Sequence, residues 1–151
     1  MIHEIDANLL EYPLDGIIHS ANCMLKFGAG IALQIQRKFP QAYEADLKTV
    51  RGDNSKLGTF SLAVLPSNFH IYNMYGQFGF GMGRQTSYDA FADGLNLIEA
   101  HASKNGLKKI GLPKYMGSRL GGGSWPIVHA IIESIFKESL LELYICNYMP
   151  K

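Results

Sequence analysis

Short apolar runs separated by amphipathic stretches set the rhythm of this chain. Residues 2–5, 16–20, 59–65, 71–75, 109–112 and 141–146 have the length and side-chain character of buried strands. Between them the period changes. Ile31, Ile35 and Phe39 recur every four residues, and Phe91, Leu95, Ile98 and Ala102 trace a second stripe. Ile127, Val128, Ile131, Ile132, Ile135 and Phe136 mark a third helix with a broad buried face, and residues 40–48 read as a shorter fourth. Strand and helix alternate, which predicts an α/β sandwich on a mostly parallel sheet.

Composition narrows this picture. The chain has 151 residues, 47% hydrophobic and 18% charged, with no linker, repeat or low-complexity tract, so residues 1–151 are expected to form one domain. Net charge is +1, which argues against an extended nucleic-acid surface but leaves room for one nucleotide-sized site. Cys23 and Cys146 form no C-x-x-C pair and no disulfide framework. No signal-peptide pattern and no apolar run near the ~18 residues of a membrane span is present, so a cytoplasmic protein without a membrane partner is expected.

Glycine changes the picture most. Ten of the sixteen glycines fall in three clusters: Gly28 and Gly30; Gly76, Gly79, Gly81 and Gly83; Gly117, Gly121, Gly122 and Gly123. Each follows a predicted strand, and in open α/β sheets ligands sit beyond the carboxyl ends of strands. The three clusters are therefore expected on one functional edge.

The run from Gly117 to Trp125 has the form of an anion-binding turn leading into a helix, with Ser124 as N-cap and Pro126 in the first turn. It is neither a Walker loop nor G-x-G-x-x-G, and a flexible turn is the alternative reading. His19 and Asn22 end a buried strand and could bind sugar hydroxyls or a water; equally, they could order the turn. The stretch 72–81 interleaves aromatics with glycine and could border a nucleotide or simply edge the core. Asp6 could accept a hydrogen bond from an exocyclic amine, or merely cap. The histidine spacing gives a metal site little support, no nucleophile elbow or Cys/His pair is present, and no cofactor is expected.

Taken together, IIHSANCMLKFGAGIALQIQRKFPQAYEADL, NMYGQFGFGMGRQTSYDAF and GLPKYMGSRLGGGSWPIVHAIIESIF resemble the macrodomain family over nearly the whole chain. The resemblance is to the small stand-alone branch of ADP-ribose 1″-phosphate phosphatases and terminal ADP-ribose glycohydrolases, of phage or bacterial type. It implies a three-layer sandwich with a mixed, mostly parallel central sheet and a cleft for ADP-ribose. By that resemblance Asp6, with Ala7 beside it, reads the adenine amino group, and Asn22 lies near the distal ribose. Gly28, Ala29, Gly30 and Ile31 form the first loop, along the diphosphate and distal ribose. Ser118, Arg119, Leu120, Gly121 and Gly122 wrap the diphosphate, Tyr75 and Gln77 border the cleft, and His19 matches the histidine assigned to catalysis.

Two departures bear on chemistry. The branch's second loop commonly reads G-C-G-L-A-G-G-D-W, with its Asp as acid/base; here that position is Ser124, and Arg119 replaces a glycine. The lysine that the glycohydrolase branch uses is absent from Tyr75-Gly76-Gln77. Serine keeps the cap but takes no proton at neutral pH without a partner base, whereas losing a carboxylate and gaining a guanidinium favours anion binding. The expectation is thus capture of ADP-ribose or a close derivative with weakened or lost catalysis, His19, Asn22 and Ser124 being the residues placed for chemistry. The alternative is a hydrolase of ADP-ribose 1″-phosphate or of ADP-ribosylated protein or nucleic acid, working through His19 and a bound water.

Overall fold

A computed structural model describes residues 1–81 and 83–148. Six strands, β1 (Ile2–Ile5), β2 (Gly16–Asn22), β3 (Phe60–Val64), β4 (His70–Gln77), β5 (Lys109–Pro113) and β6 (Glu142–Cys146), form one sheet in the order β1-β6-β5-β2-β4-β3. All neighbours are parallel except β3, which runs antiparallel to β4. The helices among the described residues are α1 (Gly30–Lys38), α2 (Pro40–Leu47), α3 (Tyr88–Lys104) and α4 (Trp125–Phe136), with a 3-10 turn at Asn54–Lys56.

Side-chain alternation along the central strands divides the interior into two layers. Ile18, Tyr72, Met74, Ile110, Leu112, Leu143 and Ile145 pack with Phe91, Leu95 and Ile98 of α3 and Val128, Ile132 and Phe136 of α4. Ile17, Ala21, Ile71, Tyr75 and Cys146 face the other way, onto Ile35 of α1 and Ala42 of α2. The result is a three-layer sandwich around a mixed, mostly parallel sheet. No helix among the described residues is long and apolar enough to cross a membrane.

The differences from the sequence pattern are local. β2 continues past residue 20 to Asn22 and β4 past residue 75 to Gln77, because their polar residues still pair across the ladder. In α4 the buried stripe is Val128, Ile132 and Phe136 at i, i+4, i+8, while Ile127 turns outward and is 46% exposed. α3 starts at Tyr88, where the Ser87 hydroxyl accepts from Ala90 N at 3.2 Å.

Candidate functional site

Topology decides what meets at the carboxyl edge. β5, β2 and β4 are adjacent and parallel, so the segments that follow them emerge side by side. These segments hold the three glycine clusters.

The first loop, residues 23–29, is fixed from below. Asn22 Oδ1 accepts from Met24 N and Nδ2 donates to Lys26 O, both at 2.9 Å. Tyr43 OH donates to Leu25 O at 2.8 Å, across a backbone that Leu25 bends to φ 58°. Phe27 is buried between the rings of His19 and Tyr43, each centroid 5.1 Å away. Gly28, Ala29 and Gly30 then emerge into solvent, and Ile31 follows half-buried in α1.

The second loop, residues 114–124, is shaped by backbone bonds. Gly123 N donates to Gly117 O at 2.9 Å, Thr86 Oγ1 to the same oxygen at 2.6 Å, and Gln85 N and Thr86 N to Gly121 O at 2.7 and 3.1 Å. A Cβ on Gly121 would lie 2.3 Å from Thr86 Oγ1, so the segment after β4 and the second loop approach each other as only glycine permits. Gly117, at φ 78°, and Gly76 both sit against the Phe91 ring, with built Cβ atoms 2.5 and 2.3 Å from it. Leu120, 64% exposed, reaches across to Gly30: a Cβ there would lie 3.0 Å from Leu120 Cδ1. The first and second loops therefore touch over the sheet edge.

This construction leaves donors free. Among the described residues, the amides of Arg119, Leu120 and Gly121, and that of Trp125 at the start of α4, meet no acceptor. Ser124 N donates to Tyr88 OH at 2.9 Å, but the Ser124 hydroxyl makes no cap bond. A run of unused amides beside an uncapped helix N-terminus can cradle an anion. The Ser118 hydroxyl turns back onto Tyr115 O at 2.7 Å.

Two expected side chains lie elsewhere. His19 is wholly buried in the α1/α2 layer, with Nε2 2.6 Å from Asn73 Oδ1 and Nδ1 lacking a partner. Burial pushes its pKa down to about 4, outweighing the bond to Asn73, so the ring is neutral at physiological pH. An enclosed, neutral imidazole cannot reach a substrate or a cleft water, and the catalytic role expected for His19 does not fit this placement. Tyr75 is likewise internal. Its OH donates to Asp46 Oδ1 at 2.6 Å, with Ser61 Oγ at 2.8 Å, and its backbone pairs with Gly58 and Thr59. Its side chain faces the core because β4 alternates, placing Ile71, Asn73 and Tyr75 on one face.

The remaining expected residues are at the edge. Asp6 is exposed just beyond β1, with Ala7 half-buried beside it, and Gln77 Nε2 donates to Gly79 O at 2.8 Å. Asn22 is at the edge too, but both its amide atoms order the turn. Three residues that the sequence reading passed over help build the edge. Thr86 ties the segment after β4 to Gly117. Tyr88 holds Ser124 N. Tyr148, 54% exposed, follows Asn147, whose N–H donates to Ile5 O at 2.8 Å beside Asp6; such a ring can stack on a base. An aromatic two residues past the last apolar strand is the available signal for Tyr148.

The buried polar groups form a chain of their own: His19, Asn73, Ser61, Tyr75 and Asp46, with Lys56 Nζ 4.5 Å above the Tyr75 ring. Burial raises the pKa of Asp46 and of Tyr75. Burial also raises the Cys23 thiol, and pushes Cys146 up to about 11, so both behave as packing residues. Among the described residues, no group of three or more His, Cys, Asp or Glu could hold a metal ion.

The architecture defines a three-layer α/β sandwich whose glycine-built loops gather beyond the carboxyl ends of adjacent parallel strands. The Macro domain family matches residues 18–132, and the chain belongs to that family. A phage T4 protein described as an uncharacterized 17.5 kDa protein in the tk-vs intergenic region is 33% identical over 139 residues, covering 89% of this chain and 86% of its own length. A DNA ADP-ribosyl glycohydrolase of Thermus aquaticus is 26% identical over 153 residues, covering 99% of this chain; the chain spans 41% of that relative's length. Among solved structures, the macrodomain of Mycobacterium tuberculosis DarG superposes with a TM-score of 0.84 at 21% identity, covering 100% of this chain and 99% of that one. Thermosipho africanus DarTG in complex with ADP-ribose gives 0.83 at 18% identity, covering 99% of this chain and 42% of that one.

Proposed function

We propose that the protein binds the ADP-ribose unit of an ADP-ribosylated macromolecule across the carboxyl edge of the sheet and releases it by hydrolysis. The observation that carries this reading is the row of unused amides at Arg119, Leu120 and Gly121, continued by Trp125 at the uncapped start of α4. They make a cradle for a diphosphate, walled on the far side by Gly28, Ala29 and Gly30. Asp6 and Tyr148 suit the adenine end, and Ile31, beside the turn that Asn22 orders, the distal ribose. The turnover part is supported by the likeness of almost the entire chain to the Thermus glycohydrolase.

In the reaction, water adds to the anomeric carbon, the bond to the macromolecule breaks, and the leaving atom takes up the water's proton. With His19 enclosed and no carboxylate at Ser124, the ligand's own diphosphate oxygens relay that proton from the water to the leaving atom, and turnover is slow. This same lack of a side-chain base favours a second reading, retention of ADP-ribose without turnover.

Incubation with an ADP-ribosylated oligonucleotide and an ADP-ribosylated protein, followed by detection of free ADP-ribose, separates the two. Release above the no-enzyme rate, undiminished at pH 7 in folded His19→Asn, supports hydrolysis independent of His19. Tight binding of ADP-ribose with no release from either substrate establishes retention instead.

A further inference from the structure

The start of α3 carries a hydroxyl that the fold uses as an acceptor and leaves unspent as a donor. Tyr88 is the first residue of that helix, half-buried, with its ring packed against the core beneath α3 and α4. The segment leading to it is clamped along the second loop. Gln85 N and Thr86 N donate to Gly121 O, and a Cβ on Gly122 would lie 3.0 Å from Arg84 Cα. Ser87 then donates its N–H to Gly76 O at 2.8 Å and caps α3 through its hydroxyl. Arg84 Cζ lies over the Tyr88 ring, 5.0 Å from its centroid. With the backbone fixed on both strand and loop and the ring held by a cation, the phenol has little freedom to turn away.

The phenol oxygen accepts from Ser124 N at 2.9 Å. A phenol also has one O–H to give, and among the described residues nothing accepts it. Ser124 directly precedes α4, and the next amide, that of Trp125, is unused as well. Neighbouring Cα atoms are about 3.8 Å apart, so the spare O–H and the spare Trp125 N–H lie close together at one helix end. The Ser124 hydroxyl makes no cap bond and adds a third spare donor there. Among the described residues Arg84 joins no ion pair within 4.0 Å, so its charge draws on the ring undiminished and strengthens the phenol O–H as a donor.

We propose that Tyr88 is a ligand-binding residue whose hydroxyl, held by Ser124 N, donates to an oxygen of the diphosphate seated on the second loop. The proposal rests on the ADP-ribose reading of the cleft. It adds to that reading a side-chain donor from α3, an element the amide cradle does not include. The group Tyr88 recognises is the diphosphate, and neither the adenine nor a ribose.

The sign of one substitution separates contact from scaffolding. Tyr88→Phe keeps the ring, removes the O–H, and releases Ser124 N as one more free amide. A tyrosine that only ties α4 in place therefore predicts unchanged or tighter ADP-ribose binding in the variant. The proposal predicts binding about tenfold weaker by isothermal calorimetry, because a bond to a charged oxygen is lost. A second measurement uses the unsubstituted protein, isotope-labelled at tyrosine Cζ. The Tyr88 signal should move on addition of ADP-ribose and stay in place on addition of adenosine, which has no phosphate. Unchanged or tighter binding in folded Tyr88→Phe overturns the proposal, as does a Tyr88 signal unmoved by saturating ADP-ribose. A signal that moves equally with adenosine overturns it too, by placing Tyr88 on the nucleoside. Absence of heat with ADP-ribose in the unsubstituted protein instead sinks the reading of the cleft itself.

Discussion

The two loops that meet over the sheet edge are held by opposite means. The first is anchored by side chains: Asn22 closes its turn, Tyr43 bonds its backbone, and Phe27 is buried on His19. The second is shaped by glycine and backbone bonds, and its amides at Arg119, Leu120 and Gly121 remain unused. Polar side chains near the first loop are therefore structural, while the binding capacity of the second resides mainly in its main chain. A histidine at a strand end and a serine at a helix start look alike as candidates for chemistry. One is enclosed and fully committed to packing, and the other has a free hydroxyl at the rim.

The sharpest way to break this contrast is to disturb the second loop's backbone. Gly117→Ala forces a Cβ into Phe91 and places alanine at φ 78°. Overpacking and left-handed strain together should cost about 4 kcal/mol, lowering Tm by roughly 12 °C and abolishing ADP-ribose binding. Scanning calorimetry with and without ligand reads both effects.

The buried histidine should act through stability. Its pKa is about 4 in the folded chain against 6.5 when unfolded. The unfolded state then binds more protons between those values, so stability falls as pH drops from about 6.5 to about 4, by roughly 3 kcal/mol in all. Asp46, whose pKa is raised, contributes with the opposite sign above the ordinary carboxylate range. Urea denaturation at pH 7 and pH 5 should show about 2 kcal/mol of this loss in the unsubstituted protein and a much smaller one in His19→Asn. An unchanged slope in that variant contradicts the assignment.

Tyr75→Phe removes the hydroxyl that donates to Asp46 and leaves a buried carboxylate oxygen unpaired. A loss of about 2 kcal/mol is expected, with ADP-ribose affinity held within twofold. A large affinity loss without a change in Tm would instead return Tyr75 to the cleft.

Ser124→Asp should produce the smallest change in stability, a gain of about 0.5–1 kcal/mol from capping and the helix dipole. A carboxylate beside the free amides should weaken ADP-ribose binding several-fold and speed release from ADP-ribosylated substrates. Kinetics that do not respond place the water away from the α4 N-terminus.

Much of this was legible in the sequence because hydrophobic period is a local signal. All six strands and four helices fall where the apolar runs and stripes put them, within two residues at strand ends. The gathering of the glycine clusters followed from their positions after strands and needed only the parallel order of β5, β2 and β4. What the sequence left open was direction. His19 and Tyr75 point into the α1/α2 layer because of strand register, and only a partner strand fixes that register. The alternation of Ile71, Asn73 and Tyr75 with the opposite-facing Tyr72 and Met74 was a sign that Asn73 lay inside and needed buried partners. The contacts of Thr86 and Tyr88 with the second loop span 31 and 36 residues, beyond what a local pattern carries.

Titration of free ADP-ribose into the protein by isothermal calorimetry tests the cleft most directly. Saturable heat with one site per chain, lost in Gly117→Ala and retained in folded His19→Asn at pH 7, is the predicted result. No heat at high micromolar ligand, or equal loss in both variants while both stay folded, contradicts it.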